Sequence, residues 1–114
     1  MTQPIRVVVV DDSALMRNMI TKLLERDPDI RVVGSARDGS EAIALVERLR
    51  PDIVTMDVWM PVLDGLATTE HLMAYCPTPI LVLTAALATR EVDITFKMLD
   101  AGALEVIEKP NAGN

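Results

Sequence analysis

Short apolar runs rich in β-branched residues alternate with segments of helical spacing along the whole chain, and this alternation limits its fold more than any other feature. Ile5 to Val10 is a β-branched run of the kind found in strands buried on both faces. Asp11-Asp12-Ser13 follows, and then Leu15, Met16, Met19, Ile20, Leu23 and Leu24 recur at helical spacing, with Pro28 as the stop. Ile30 to Ala36 predicts a second strand. Asp38-Gly39-Ser40 turns the chain into a helix with Ala42, Ile43, Val46 and Leu49 on one face, stopped by Pro51. Ile53 to Met56 predicts a third strand ending at Asp57. A loop with Pro61 and Asp64-Gly65 leads to a helix carrying Leu66, Leu72 and Met73, which Pro77 and Pro79 break. Ile80 to Leu83 predicts a fourth strand ending at Thr84. A weaker helical pattern with Val92, Phe96 and Leu99 closes at Ala101-Gly102. Leu104 to Ile107 is the fifth strand, followed by Glu108-Lys109-Pro110 and the last residues to Asn114.

Such regular alternation argues for a parallel sheet covered by helices on both faces. Right-handed crossovers narrow this to an α/β, doubly wound sheet in the order 2-1-3-4-5. The 114 residues suit a single domain, and half of them are apolar, enough for a core. No apolar run is long enough to span a bilayer. The start has no signal-peptide layout, so the expected location is the cytoplasm. The single cysteine, Cys76, excludes an internal disulfide. The formal charge of −6, from 17 acids against 11 bases, disfavours direct binding of nucleic acid or anionic lipid.

In sheets of this kind a ligand sits at the carboxyl ends of the strands, where the strand order reverses. Here that point lies between strands 1 and 3, and its polar residues are Asp11, Asp12 and Asp57. Three carboxylates in one place repel one another unless a cation joins them. A hard divalent ion such as Mg²⁺ suits oxygen ligands, and it usually keeps some water and a substrate phosphate oxygen. One carboxylate is then available as a nucleophile toward phosphorus, in chemistry that is mostly positioning and charge neutralisation. Lys109 and Thr84 end strands 5 and 4 on the same rim. Each feature alone has a plainer explanation: Asp-Asp-Ser as a helix cap, Asp57 as a turn residue, Lys109 as a solvated cation, Thr84 as an ordinary strand end. Their coincidence at one rim favours the functional reading.

Val9-Val10-Asp11-Asp12-Ser13, the run Met56-Asp57-Val58-Trp59-Met60-Pro61-Val62-Leu63-Asp64-Gly65, Leu83-Thr84-Ala85, Ala101-Gly102-Ala103 and Glu108-Lys109-Pro110 together resemble a response-regulator receiver domain. Asp12-Ser13-Ala14-Leu15-Met16-Arg17 is most similar to the receiver of chemotaxis protein-glutamate methylesterases. The resemblance implies a flavodoxin-like fold and a phosphoryl-accepting switch of two-component signalling, with no enzymatic activity beyond self-catalysed phosphotransfer. It implies Asp57 as phosphoacceptor, served by a sensor histidine kinase. It implies Mg²⁺ held by Asp12, Asp57 and the backbone carbonyl of Trp59, with Asp11 acting through water. Thr84 and Lys109 would contact the phosphoryl oxygens, small Ala85 would leave access, and Lys109-Pro110 would be a cis peptide. The family often carries Tyr or Phe three positions before the lysine as a rotating switch; here Val106 stands there. A fifth helix would follow strand 5, and too few residues remain for one. The chain is therefore expected to be one receiver domain, 1–114, cut from a longer protein with an output domain, for which the resemblance suggests a C-terminal methylesterase. The truncated fragment could pair as a homodimer.

Trp59 either packs on a neighbouring helix or lids the site; with Ala86 it flanks the path of a water attacking phosphorus on Asp57. His71 reads as a surface residue, Cys76 as an apolar filler, and the seven methionines as an adaptable core. Two other functions fit less well. A Mg²⁺-dependent phosphohydrolase of the haloacid-dehalogenase type needs a second Asp at position 59, which is Trp. A flavin carrier needs a hydroxyl-rich phosphate loop where Asp11 and Asp12 would repel phosphate.

Overall fold

A computed structural model of the chain describes residues 3–85 and 92–110. The elements in chain order are β1 (Ile5–Val10), α1 (Ala14–Leu24), β2 (Ile30–Ala36), α2 (Gly39–Leu49), β3 (Ile53–Asp57), α3 (Gly65–Tyr75), β4 (Ile80–Thr84), α4 (Val92–Asp100) and β5 (Glu105–Glu108). All strand pairs are parallel, and the sheet order is β2-β1-β3-β4-β5, as the alternation predicts.

Three helices begin directly after a strand or its loop because a polar side chain accepts an otherwise unpaired N–H. Ser13 accepts from Met16, Asp38 from Glu41, and Asp64 from Ala67. Each such cap is worth about 1 kcal/mol. The tight caps keep the loops at the strands' carboxyl ends short, so residues there stay on the rim. Helix α2 ends with Arg50 in the left-handed region, its N–H on the Val46 carbonyl, just before Pro51.

The residues of β1 explain its place next to the middle of the sheet. Val8 and Val10 point into one core, with Val46 of α2, Leu72 of α3 and Met98 of α4. Val7 and Val9 point into a second core with Ile20 of α1 and Leu83 of β4. Cys76 is buried in the first, as its filler reading requires. Among the described residues α1 is the one helix on the second face. Beside it lies an open hollow of about 150 Å³, lined by Ile20, Leu23, Leu24, Leu81, Ile107 and Thr55. Among the described residues the buried Thr55 hydroxyl finds no hydrogen-bond partner.

The secondary structure and its packing depart from the sequence reading in three places. The helical stripe Val92, Phe96, Leu99 is not the buried face of α4: Thr95 and Met98 are buried, and Phe96 is 66% exposed. The Thr95 hydroxyl can turn inward because it donates to the Val92 carbonyl at 2.8 Å. In α1, Leu15 is exposed although it keeps the apolar spacing. In β5 the ladder runs Glu105–Glu108, with Leu104 exposed just before it.

Candidate functional site

Strand register builds the site. Val10 pairs with Met56, so Asp11 and Asp57 stand at the same level, one step beyond that pair. Leu83 pairs with Asp57, and Thr84 with Glu108, which sets Thr84 and Lys109 on the same rim. The Lys109 N–H continues the ladder by donating to the Thr84 carbonyl at 2.8 Å.

Asp11 and Asp57 are buried while Asp12 is exposed, and one carboxylate oxygen from each lies within 4.8 Å of the others. The Lys109 Nζ bridges two of them, 2.8 Å from Asp11 Oδ2 and 2.7 Å from Asp57 Oδ1. The Asp11 contact is ionic and poorly angled, since Asp11 Oδ2 has no hydrogen bond of good geometry. Asp11 Oδ1 accepts the Ser13 N–H at 2.9 Å, and Asp57 Oδ1 accepts the Val58 N–H at 2.8 Å. Among the described residues both of these Asp57 contacts fall on Oδ1 rather than Oδ2.

The charges are only partly balanced. Burial, opposed by Lys109 and reinforced by the neighbouring Asp11, pushes the Asp57 carboxyl up to about 6. Burial works against the Lys109 ammonium, but its contacts to Asp11 and Asp57 outweigh this and raise its pKa. One ammonium faces three carboxylates, so the site favours a further cation. The donors are all hard oxygens, the set that Mg²⁺ prefers. The residues present therefore fit a divalent ion held by Asp11, Asp12 and Asp57.

Thr84 is fully buried at the end of β4, and Ala85, directly after it, is exposed. Val106 is half-buried and packs against the core that contains Met98. Trp59 is 51% exposed in the loop after Asp57, so it is not a core residue. Ala86 lies outside the described residues. The expected cis peptide is absent: no peptide bond among the described residues is cis, including that before Pro110. The long lysine side chain reaches both carboxylates from a trans peptide, the form that X-Pro bonds favour by roughly 0.5–1 kcal/mol.

The sequence reading gave no role to Arg17. Its Nη1 donates to the Asp11 carbonyl at 2.8 Å. A cation in the first turns of a helix, where the dipole disfavours it, was the available signal.

Residues 7–114 match the family model of the response regulator receiver domain. The chain belongs to the response regulator receiver domain family. This receiver domain is 50% identical over 107 residues to a protein-glutamate methylesterase/protein-glutamine glutaminase of Syntrophus aciditrophicus, covering 94% of the chain and 31% of that protein. It is 50% identical over 112 residues to one of Myxococcus xanthus, covering 98% of the chain and 32% of that protein. The receiver domain thus spans about a third of the length of these curated relatives. Among solved structures, the response regulator domain of Thermotoga maritima CheB superposes with a TM-score of 0.88 at 38% identity, over 98% of this chain and 83% of that one. A CheX-CheY-BeF3-Mg⁺² complex from Borrelia burgdorferi gives a TM-score of 0.85 at 26% identity, over 96% of this chain and 81% of that one.

Proposed function

We propose that this receiver domain accepts a phosphoryl group on Asp57 from the phosphohistidine of a sensor kinase, in a Mg²⁺-dependent reaction, and so controls an output domain. The observation that carries the reading is the Lys109 ammonium seated between Asp11 and Asp57, beside a third carboxylate. A carboxylate oxygen of Asp57 attacks phosphorus, the P–N bond breaks, and the imidazole keeps the bonding pair and takes a proton. Burial raises the Asp57 carboxyl to about 6, so its carboxylate is more basic than an ordinary one and correspondingly more nucleophilic. Lys109, already at hydrogen-bond distance from Asp57, pairs with a phosphoryl oxygen, and Thr84 contacts another once the group is in place. Ala85 leaves room for the donor. Asp11, Asp12 and Asp57, with the Trp59 carbonyl, would hold Mg²⁺, which would neutralise charge on the phosphoryl oxygens. Val106 leaves no aromatic ring to rotate, so the signal passes from Thr84 without one.

The curated relatives support a methylesterase as the output, with residues 1–114 as one receiver domain of a longer cytoplasmic protein. The 114-residue fragment itself pairs as a homodimer through the open hollow. Incubation with acetyl phosphate and Mg²⁺ tests the central claim by mass spectrometry. One phosphoryl mass is expected, absent in Asp57→Asn and in EDTA, and kept in Asp64→Asn. Wild-type labelling of Asp57→Asn would overturn it.

A further inference from the structure

Arg17 occupies a position that helix physics disfavours. It is the fourth residue of α1, and α1 has no acid in its first turn. A cation near a helix N-terminus is opposed by the macrodipole. Its guanidinium turns back from the helix and donates to the Asp11 carbonyl at 2.8 Å. No ion pair links it to a carboxylate among the described residues, although Asp11 and Asp12 are adjacent in the chain.

That carbonyl stands where the sheet ends. The Asp11 N–H is held by the Ala36 carbonyl of β2 at 3.0 Å, and the side chain by Ser13 and Lys109. Asp11 is fully buried, so leaving its carbonyl unpaired would be costly. Arg17 supplies the donor. The carbonyl is also one edge of the planar peptide joining Asp11 to Asp12. Fixing its direction fixes that plane and the position of the Asp12 Cα, and so narrows the space from which the exposed Asp12 side chain starts.

The geometry points to Arg17 as a positioning residue for the cation site: it locks the Asp11–Asp12 peptide so that Asp12 meets Asp11 and Asp57. This rests on the Mg²⁺ reading given above. The guanidinium acts in two opposed ways. Its charge repels a cation, while its hydrogen bond pre-arranges the ligands. The net sign tells which of the two prevails, and a hydrogen bond to a buried carbonyl acts at shorter range than a charge screened by water.

The test is Mg²⁺ binding followed by calorimetry at a temperature where every protein is folded, with thermal unfolding recorded in parallel. The proteins are wild type, Arg17→Met, Arg17→Ala and Arg17→Lys, with Asn18→Ala as a control on the same helix. Arg17→Met and Arg17→Ala are expected to weaken Mg²⁺ about tenfold, the effect of one lost charge-assisted hydrogen bond. Arg17→Lys should recover part of that loss, and Asn18→Ala should bind like wild type. A purely structural Arg17 would lower the melting temperature and leave Mg²⁺ affinity within twofold, which would overturn the inference. Tighter binding in Arg17→Met would overturn it too, since repulsion would then be the dominant effect. Should Arg17→Ala not fold, Arg17→Met and Arg17→Lys decide by the same criterion. Failure of wild type to bind Mg²⁺ overturns both this inference and the Mg²⁺ reading; normal binding by wild type and Arg17→Met overturns only this one.

Discussion

The Asp57 carboxyl has a lower affinity for its proton in the unfolded chain, at 3.8, than in the folded one, at about 6. Folding therefore takes up protons in between, and ionising Asp57 costs stability. The cost is absent below about pH 4, grows as pH rises to 6, and is constant above. At ~1.4 kcal/mol per pH unit its ceiling is roughly 3 kcal/mol, and coupling to Asp11 and Lys109 spreads the titration over the group. Urea unfolding in EDTA should find Asp57→Asn more stable than wild type by about 1–3 kcal/mol at pH 8, with the gap closing toward pH 4. Equal stability at pH 8 would contradict this. Trp59 carries a second prediction at the same scale. Trp59 is half exposed two residues after Asp57, and its indole can only donate a hydrogen bond; the prediction is that it shields one approach to phosphorus. The phosphorylated wild type should lose phosphate slowly. Trp59→Asn, which can orient water, should lose it faster, toward the ~10²-fold that a positioned polar group supplies. Unchanged loss in both Trp59→Asn and Trp59→Ala would remove Trp59 as the gate.

At the scale of elements, α4 gives the sharpest test. Phe96→Gln should change stability by less than about 0.5 kcal/mol, because the ring lies in solvent. Met98→Ala, which empties a fully buried position, should cost about 2–5 kcal/mol. The reverse order in chemical denaturation would restore the stripe read from the sequence. That stripe failed because spacing shows that a helix has an apolar side, while packing decides which side is used. Val92, Phe96 and Leu99 keep helical spacing as well as Thr95 and Met98 do, and Thr95 hides its hydroxyl on its own helix. Strands β1 and β2 were readable to the residue because their β-branched runs are bounded by Asp, Pro and Gly-containing turns. The three acids and Lys109 were readable because strand ends locate the rim. The Lys109-Pro110 peptide was not, since the pattern shows that a cis bond is allowed and only the reach of the side chain shows that trans suffices. Arg17 was not, since its partner is a backbone carbonyl, which leaves no trace in residue types.

For the whole molecule, the two faces of the sheet are unequally covered. Leu23 and Ile107 remain 40% and 43% exposed around the open hollow, and the edge of β5 lies beside them. Exposed apolar surface next to a strand edge favours association. Sedimentation velocity of the 114-residue chain should show a concentration-dependent dimer, lost in Ile107→Lys and Leu23→Lys. A monomer at all concentrations would contradict the pairing.

Lys109 reaches the acids from the last strand of the sheet, and this sets an order in time. In a chain synthesised from its N-terminus, β1 and β3, and with them Asp11 and Asp57, are made before the lysine that bridges them. Until then the two carboxylates must repel, take up a proton or borrow a cation from solution. The docking of β5 is thus rewarded by charge as well as by its ladder, and the final strand acts as a latch. The acidic pocket reaches its finished state only when the whole sheet has closed, so a nascent or partly unfolded chain cannot present it in working form.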